Sequence, residues 1–256
     1  MATFILVHGA WRGAWSYSET HAVLKSAGHA VFTPTMSGLG ERFHAKRTHI
    51  TLETHILDIC EVIDREKLND VILCGHCYGG MVITGVEDRM PQRIRSLVYI
   101  DAFVPAHWQS VSSILHLHAN AQPHSPFTQL VRKTAVATES GLVPPMPAAG
   151  CHASAEYRDW IDDRCVPQSV ATFEMPIILS GRSQLRPKAY FLAENWPDNP
   201  FKIFAEKFER QSDWKVKRFP CGHDIMVEMP HQLAHELCQF AEAGPLTSND
   251  LADPPG

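Results

Sequence analysis

No apolar stretch in this 256-residue chain approaches the ~18 residues that a membrane-crossing helix requires, so the sequence reads as that of a soluble protein with no membrane partner. No basic leader precedes the apolar core of the N-terminus; Met1-Ala2-Thr3-Phe4 runs straight into a strand, and a cytoplasmic location is expected. Lys and Arg nowhere gather into a basic face and the formal net charge is −5, which excludes a nucleic-acid surface and leaves a small molecule as the expected partner. A homodimer stays open. There is no internal repeat and no low-complexity segment in the body of the chain, which excludes a solenoid. His116-x-His118 lacks a recognisable third ligand, so neither a metal nor another cofactor is expected. The seven cysteines, an odd number scattered through an ordinary-sized domain, fit free thiols in a reducing compartment rather than a disulfide framework.

What is present is an alternation of strands and helices, the pattern of a parallel sheet. Residues 3–7 read as a strand and 16–26 as a helix closed by Gly28. A second strand spans 29–33, and a turn-rich loop follows through Ser37-Gly38-Leu39-Gly40. A helix over 52–66 carries Leu52, Ile56, Ile59 and Ile63 on one face, with Thr51 as its N-cap. Strands are expected at 70–74, 95–100, 188–193 and 215–219, and helices near 81–89, 201–210 and 230–243. Half of the eighteen prolines fall between 104 and 187, so this stretch reads as an inserted cap between core segments 1–103 and 188–243; 244–256 reads as a loosely ordered tail.

The chemistry centres on Cys74-Gly75-His76-Cys77-Tyr78-Gly79-Gly80, between an apolar strand and a helix. Glycines two residues either side of Cys77 match the G-x-S-x-G nucleophile elbow, with Cys in place of Ser. Such a turn lifts the Cys77 sulfur out of the sheet and leaves the Tyr78 N–H, at a helix start, free to bind a developing oxyanion. A nucleophile needs a base, and His223 in Cys221-Gly222-His223-Asp224, just after the last strand, is placed to serve.

These motifs, with Val7-His8-Gly9-Ala10-Trp11 after the first strand and Val98-Tyr99-Ile100-Asp101-Ala102-Phe103-Val104-Pro105, resemble the α/β-hydrolases. The likeness is to the branch of small esterases, methyl-ester esterases and hydroxynitrile lyases, and within it to bacterial esterases and carbamate hydrolases of the carbendazim type. The resemblance implies a mostly parallel six-stranded sheet flanked by helices, with an inserted cap. It makes the Ala10 N–H the second oxyanion donor, and it orders the triad as nucleophile, acid and late histidine. Many members carry the acid after the penultimate strand, where Asp198 is the reserve. Asp101, at the strand next to the elbow, matches the placement in haloalkane dehalogenases and is preferred. Dienelactone hydrolases set a precedent for Cys-His-Asp.

Cleavage of an ester, carbamate or lactone through a thioester is therefore expected. Acyl transfer from that thioester and hydroxynitrile-lyase proton transfer are the alternatives, and a non-enzymatic ligand receptor is a further one. An engineered exchange of Ser for Cys at 77 also stays open. Trp11, His76, Phe103 and Trp108 are expected to touch substrate, under a cap roof to which Ile114, Leu115, Leu117, Phe127, Leu130, Met146 and Trp160 add apolar surface. Such a roof selects a compact aromatic or alicyclic substrate.

Overall fold

Successive side chains of a strand point to opposite faces of its sheet, and here both sets are apolar. Ile5, Val7, Leu73, Leu97, Tyr99, Tyr190 and Leu192 lie in one buried cluster. Their neighbours Phe4, Leu6, Ile72, Cys74, Val98, Ile100, Ala189 and Phe191 lie in a second. A sheet that is apolar on both faces must be covered on both. The computed structural model, which describes residues 1–44, 49–119, 141–151, 153–182, 186–196 and 198–243, shows how.

Its strands are β1 (Thr3–Val7), β2 (Ala30–Phe32), β3 (Val71–His76), β4 (Ile94–Ile100), β5 (Leu142–Val143), β6 (Gln168–Ser169), β7 (Lys188–Ala193) and β8 (Trp214–Phe219). Six of them make one sheet in the order β2-β1-β3-β4-β7-β8, every pair parallel, while β5 and β6 pair antiparallel as a separate ribbon. The helices are α1 (Ser18–Ser26), α2 (Leu52–Arg65), α3 (Gly79–Arg89), α4 (Val111–Ala119), α5 (Ala155–Asp162), α6 (Ala171–Glu174), α7 (Lys202–Phe208), α8 (Ile225–Glu228) and α9 (Pro230–Glu242). Buried residues of α2, α3 and α7 cover the first face. Those of α1, α8 and α9 cover the second.

The expected boundaries hold closely. Thr51 caps α2 through a reciprocal pair: the Thr54 N–H donates to Thr51 Oγ1 at 3.3 Å and the Thr51 N–H to Thr54 Oγ1 at 3.2 Å. One helix is shorter than read. Residues 16 and 17 belong to a 3₁₀ turn over Ala14–Tyr17, because both the N–H and the hydroxyl of Ser16 donate to Gly13 O and tighten the chain ahead of α1. The chain leaves β1 to build β2 on one side and later returns to β3 on the other. The crevice at such a switch point, beyond the carboxyl ends of the strands, is where α/β sheets place their ligands.

Phe127, Leu130 and the tail 244–256 lie outside the described residues. Among the described residues no helix is long and apolar enough to cross a membrane. All seven cysteines are free thiols. Cys74 and Cys77 stand in C-x-x-C spacing, yet strand alternation puts Cys74 in the second cluster and Cys77 in the first. Cys74 is fully buried, and burial pushes its thiol far up.

Candidate active site

The turn after β3 is crowded to the limit that glycine allows. A Cβ on Gly75 would stand 2.6 Å from Gly79 O, and one on Gly80 would collide with Phe103 O. Strand and helix therefore meet backbone to backbone, and the residue between them takes the strain. Cys77 has φ +51°, a left-handed conformation unusual for a side chain larger than glycine. Its N–H donates to Ile100 O at 3.2 Å and its carbonyl accepts from Phe103 N–H and Gly80 N–H, both at 3.1 Å, so the turn is tied to the end of β4.

Asp101, the first residue beyond β4, also has positive φ, +42°. It is fully buried, and His223 Nδ1–H donates to its Oδ2 at 2.6 Å. The other carboxylate oxygen accepts from Asn199 Nδ2 at 2.9 Å and from the Ala193 N–H at 3.2 Å. Asp198, by contrast, is exposed; the loop after β7 sends in Asn199 rather than an acid. Only the turn-forming Asn199-Pro200 pair marked this residue in the sequence, and it carries no sign of a carboxylate partner.

His223 sits in an aromatic box. Phe201 stacks on its ring at 5.3 Å and 9°, Trp196 lies at 4.8 Å and His76 at 4.4 Å. Burial alone would lower its pKa; the neighbouring Cys77 sulfur and Asp101 outweigh burial and raise it to about 10. The surroundings of the ring thus favour its charged form against the cost of burial.

Trp11 has φ +62° and lies 3% exposed, its ring tilted against Phe173 and its Nε1–H donating to Val143 O at 3.1 Å. Phe103 is buried edge-on to Phe201. His76 is buried behind His223, its Nε2–H donating to His223 O at 3.1 Å, against the backbone of Gly9. Trp108 is 62% exposed with its ring beside His107. Among the described residues neither the Ala10 nor the Tyr78 N–H has an acceptor, and both precede or flank the strained positions. Of the roof residues, Ile114, Leu115 and Met146 are buried, Leu117 is 64% exposed, and Trp160 lines a separate cleft of about 320 Å³ with Ser16, Glu19, Glu156 and Tyr157.

Two features had no signal in the sequence. Arg12 forms a bidentate pair with Asp224, Nε–H and Nη2–H each 2.7 Å from a carboxylate oxygen, both side chains buried. Gln168, from the separate ribbon, accepts the Trp11 N–H at 2.9 Å. Both join residues more than 150 positions apart. Among the described residues no group of three or more His, Cys, Asp or Glu side chains converges as a metal site would; the side chain of His118 lies outside them.

A carboxylate, a histidine and a strained thiol converge at the sheet's carboxyl end beside two unpaired N–H groups, the components that acyl transfer requires. Known proteins agree in fold. The chain is 48% identical over 238 residues to a carbendazim hydrolyzing esterase from Nocardioides sp. (strain SG-4G), covering 93% of this chain and 98% of the relative. It is 31% identical over 121 residues to salicylic acid-binding protein 2 of Nicotiana tabacum, about half of each chain. Among solved structures, an extracellular alpha/beta-hydrolase from a Paenibacillus species superposes with a TM-score of 0.77 at 23% identity, over 94% of this chain and 99% of that one. Residues 4–236 match the alpha/beta hydrolase family, and the chain belongs to it.

Proposed function

We propose that the protein hydrolyses an ester, lactone or carbamate of a small, aromatic or alicyclic molecule, with Cys77 as nucleophile, His223 as acid and base, and Asp101 as its orienting carboxylate. The single observation that carries this reading is the 2.6 Å bond from His223 Nδ1–H to buried Asp101, with the Cys77 sulfur near enough to the same ring to favour its charged form. The 48% identity to an esterase of carbendazim over nearly its whole length supports the substrate class.

In the forward step the Cys77 thiolate attacks the carbonyl carbon, and the electron pair displaced onto oxygen is held by the Ala10 and Tyr78 N–H groups. As the C–O or C–N bond breaks, the His223 imidazolium gives its proton to the leaving alkoxide or amine. A thioester remains on Cys77. Neutral His223 then takes a proton from water, hydroxide adds to the thioester, and collapse expels the thiolate and releases the acid. Asp101 accepts the Nδ1–H throughout and fixes the tautomer. No step calls on a cofactor. Segment 104–187 acts as the cap, with Trp11 and Phe103 lining the pocket, Trp108 at its rim and His76 as the wall behind His223.

The test compares wild type with Cys77→Ala on aryl esters and methyl carbamates. Turnover is expected to fall by at least about 10³-fold, as for loss of a nucleophile in a triad. Mass spectrometry of quenched enzyme should show acyl mass at Cys77. Equal turnover by the two proteins removes Cys77 from the chemistry; turnover without acyl mass turns the same His and Asp toward proton transfer of the hydroxynitrile-lyase kind.

A further inference from the structure

The two N–H groups proposed to hold the oxyanion come from different loops, Ala10 after β1 and Tyr78 after β3. Nothing in the triad fixes the distance between them. A buried polar chain from outside the sheet does. The Trp11 N–H, one peptide beyond Ala10, donates to Gln168 Oε1 at 2.9 Å. Gln168, 1% exposed, uses its Nε2–H to donate to Thr172 Oγ1 at 2.7 Å. The Thr172 hydroxyl donates to Ser169 O at 2.7 Å and lies beside the hydroxyl of Tyr78. Tyr78 in turn is hydrogen-bonded to His55 Nδ1 at 2.9 Å, and His55 Nε2–H donates to Ser37 O at 2.9 Å. The chain therefore runs from the neighbour of one oxyanion donor to a hydroxyl packed beside the side chain of the other.

We infer that Gln168 is a positioning residue for the oxyanion hole, locking the Ala10–Trp11 peptide to Tyr78 through Thr172. The inference rests on the reading that Ala10 and Tyr78 stabilise the oxyanion formed at Cys77. Trp11 holds a left-handed backbone, φ +62°, that an unbraced tryptophan seldom adopts, and among the described residues its polar contacts go to one region: Gln168 Oε1, Val143 O, and the Val166 N–H, which donates to Trp11 O at 3.0 Å. By accepting the Trp11 N–H, Gln168 fixes the peptide that follows Ala10. The Ala10 N–H is then the one left to face the crevice. An amide suits this task because it accepts at one end and donates at the other; an ionised carboxylate could only accept, and would bring charge beside a developing anion.

The consequence is specific to the tetrahedral step. Gln168→Met conserves volume and removes both hydrogen bonds; Thr172→Val removes the hydroxyl that holds the amide, and Thr172→Ser keeps it. With p-nitrophenyl acetate as probe, kcat is expected to drop roughly 10- to 100-fold in Gln168→Met and in the same direction in Thr172→Val, short of the ~10²–10³-fold cost of deleting a donor outright. KM should stay within about twofold and Thr172→Ser should behave as wild type. Alkylation of Cys77 by iodoacetamide develops no oxyanion, so its rate should be unchanged in every variant. Wild-type kcat in both Gln168→Met and Thr172→Val, a rise confined to KM, or an equal fall in alkylation rate would each overturn the inference. Cys77→Ala run alongside separates the two layers: if it turns over the probe as well as wild type, the proposed nucleophile has failed irrespective of Gln168.

Discussion

His223 carries two opposed influences on one ring. Burial disfavours its charged form, and the Cys77 sulfur and Asp101 favour it strongly enough to leave the pKa near 10. Because Cys77 is the larger of the favourable influences, removing its ionisable sulfur should release the ring toward its ordinary range. In Cys77→Ser the His223 pKa is therefore expected well below that of wild type, with Asp101 still holding it by hydrogen bond. Two-dimensional NMR of imidazole-labelled protein reads this directly. A His223 resonance that titrates at the same pH in both proteins would show that the sulfur contributes nothing and that Asp101 alone sets the proton affinity.

Two connecting loops meet at the site, one after β1 and one after β8, and the Arg12–Asp224 pair is the bolt between them. Arg12 also donates from Nη1 to the Cys165 sulfur at 2.8 Å. With both charges out of water, losing one partner leaves the other buried and uncompensated. Arg12→Met should cost about 3–5 kcal/mol in urea unfolding, and Asp224→Leu on top of it should restore much of the loss, since an apolar pair of similar volume substitutes well for a buried ion pair. A single mutant as stable as wild type would mean that water reaches Asp224. This contact also shows where sequence reasoning runs out. The elbow was legible because a turn this tight imposes glycines at fixed spacing, and Asp101 and His223 were legible because strand ends place them. Arg12 with Asp224, Gln168 with Trp11 and Asn199 with Asp101 were not, because each pairs an ordinary polar residue with a partner that only the folded sheet brings near. The 3₁₀ turn ahead of α1 was missed for a local reason of the same kind: a serine folding back on Gly13 looks no different in sequence from the first turn of a helix.

At the scale of the molecule, the frame around the site contains three histidines that are buried and neutral. His8 donates from Nδ1 to Gly9 O at 2.9 Å and accepts the Met36 N–H on Nε2 at 3.1 Å; His55 bridges Ser37 O and the Tyr78 hydroxyl; His76 donates to His223 O and presents Nδ1 to a site without a partner among the described residues. Burial lowers His8 to about 3 and His55 to about 4, and holds His76 well below its ordinary value. Unfolded, each would titrate near 6.5. Below that pH the unfolded chain binds protons that the folded chain refuses, so stability falls as pH falls, by about 1.4 kcal/mol per pH unit for each histidine. His223 acts with the opposite sign: its stabilising contribution is complete below pH 6.5 and is lost as pH climbs through about 10. Asp224, which burial would raise but Arg12 lowers below the usual carboxylate range, contributes above its unfolded pKa and loses that contribution only in stronger acid. The stability curve should therefore peak near neutrality and drop by roughly 3–4 kcal/mol between pH 6 and pH 5, where three protons are taken up on unfolding. Urea titrations at pH 7, 6 and 5 measure the slope, and His55→Gln, which keeps a donor and an acceptor but cannot charge, should reduce it by about one proton. A slope below one proton between pH 6 and 5 would show that the three rings gain protons without unfolding.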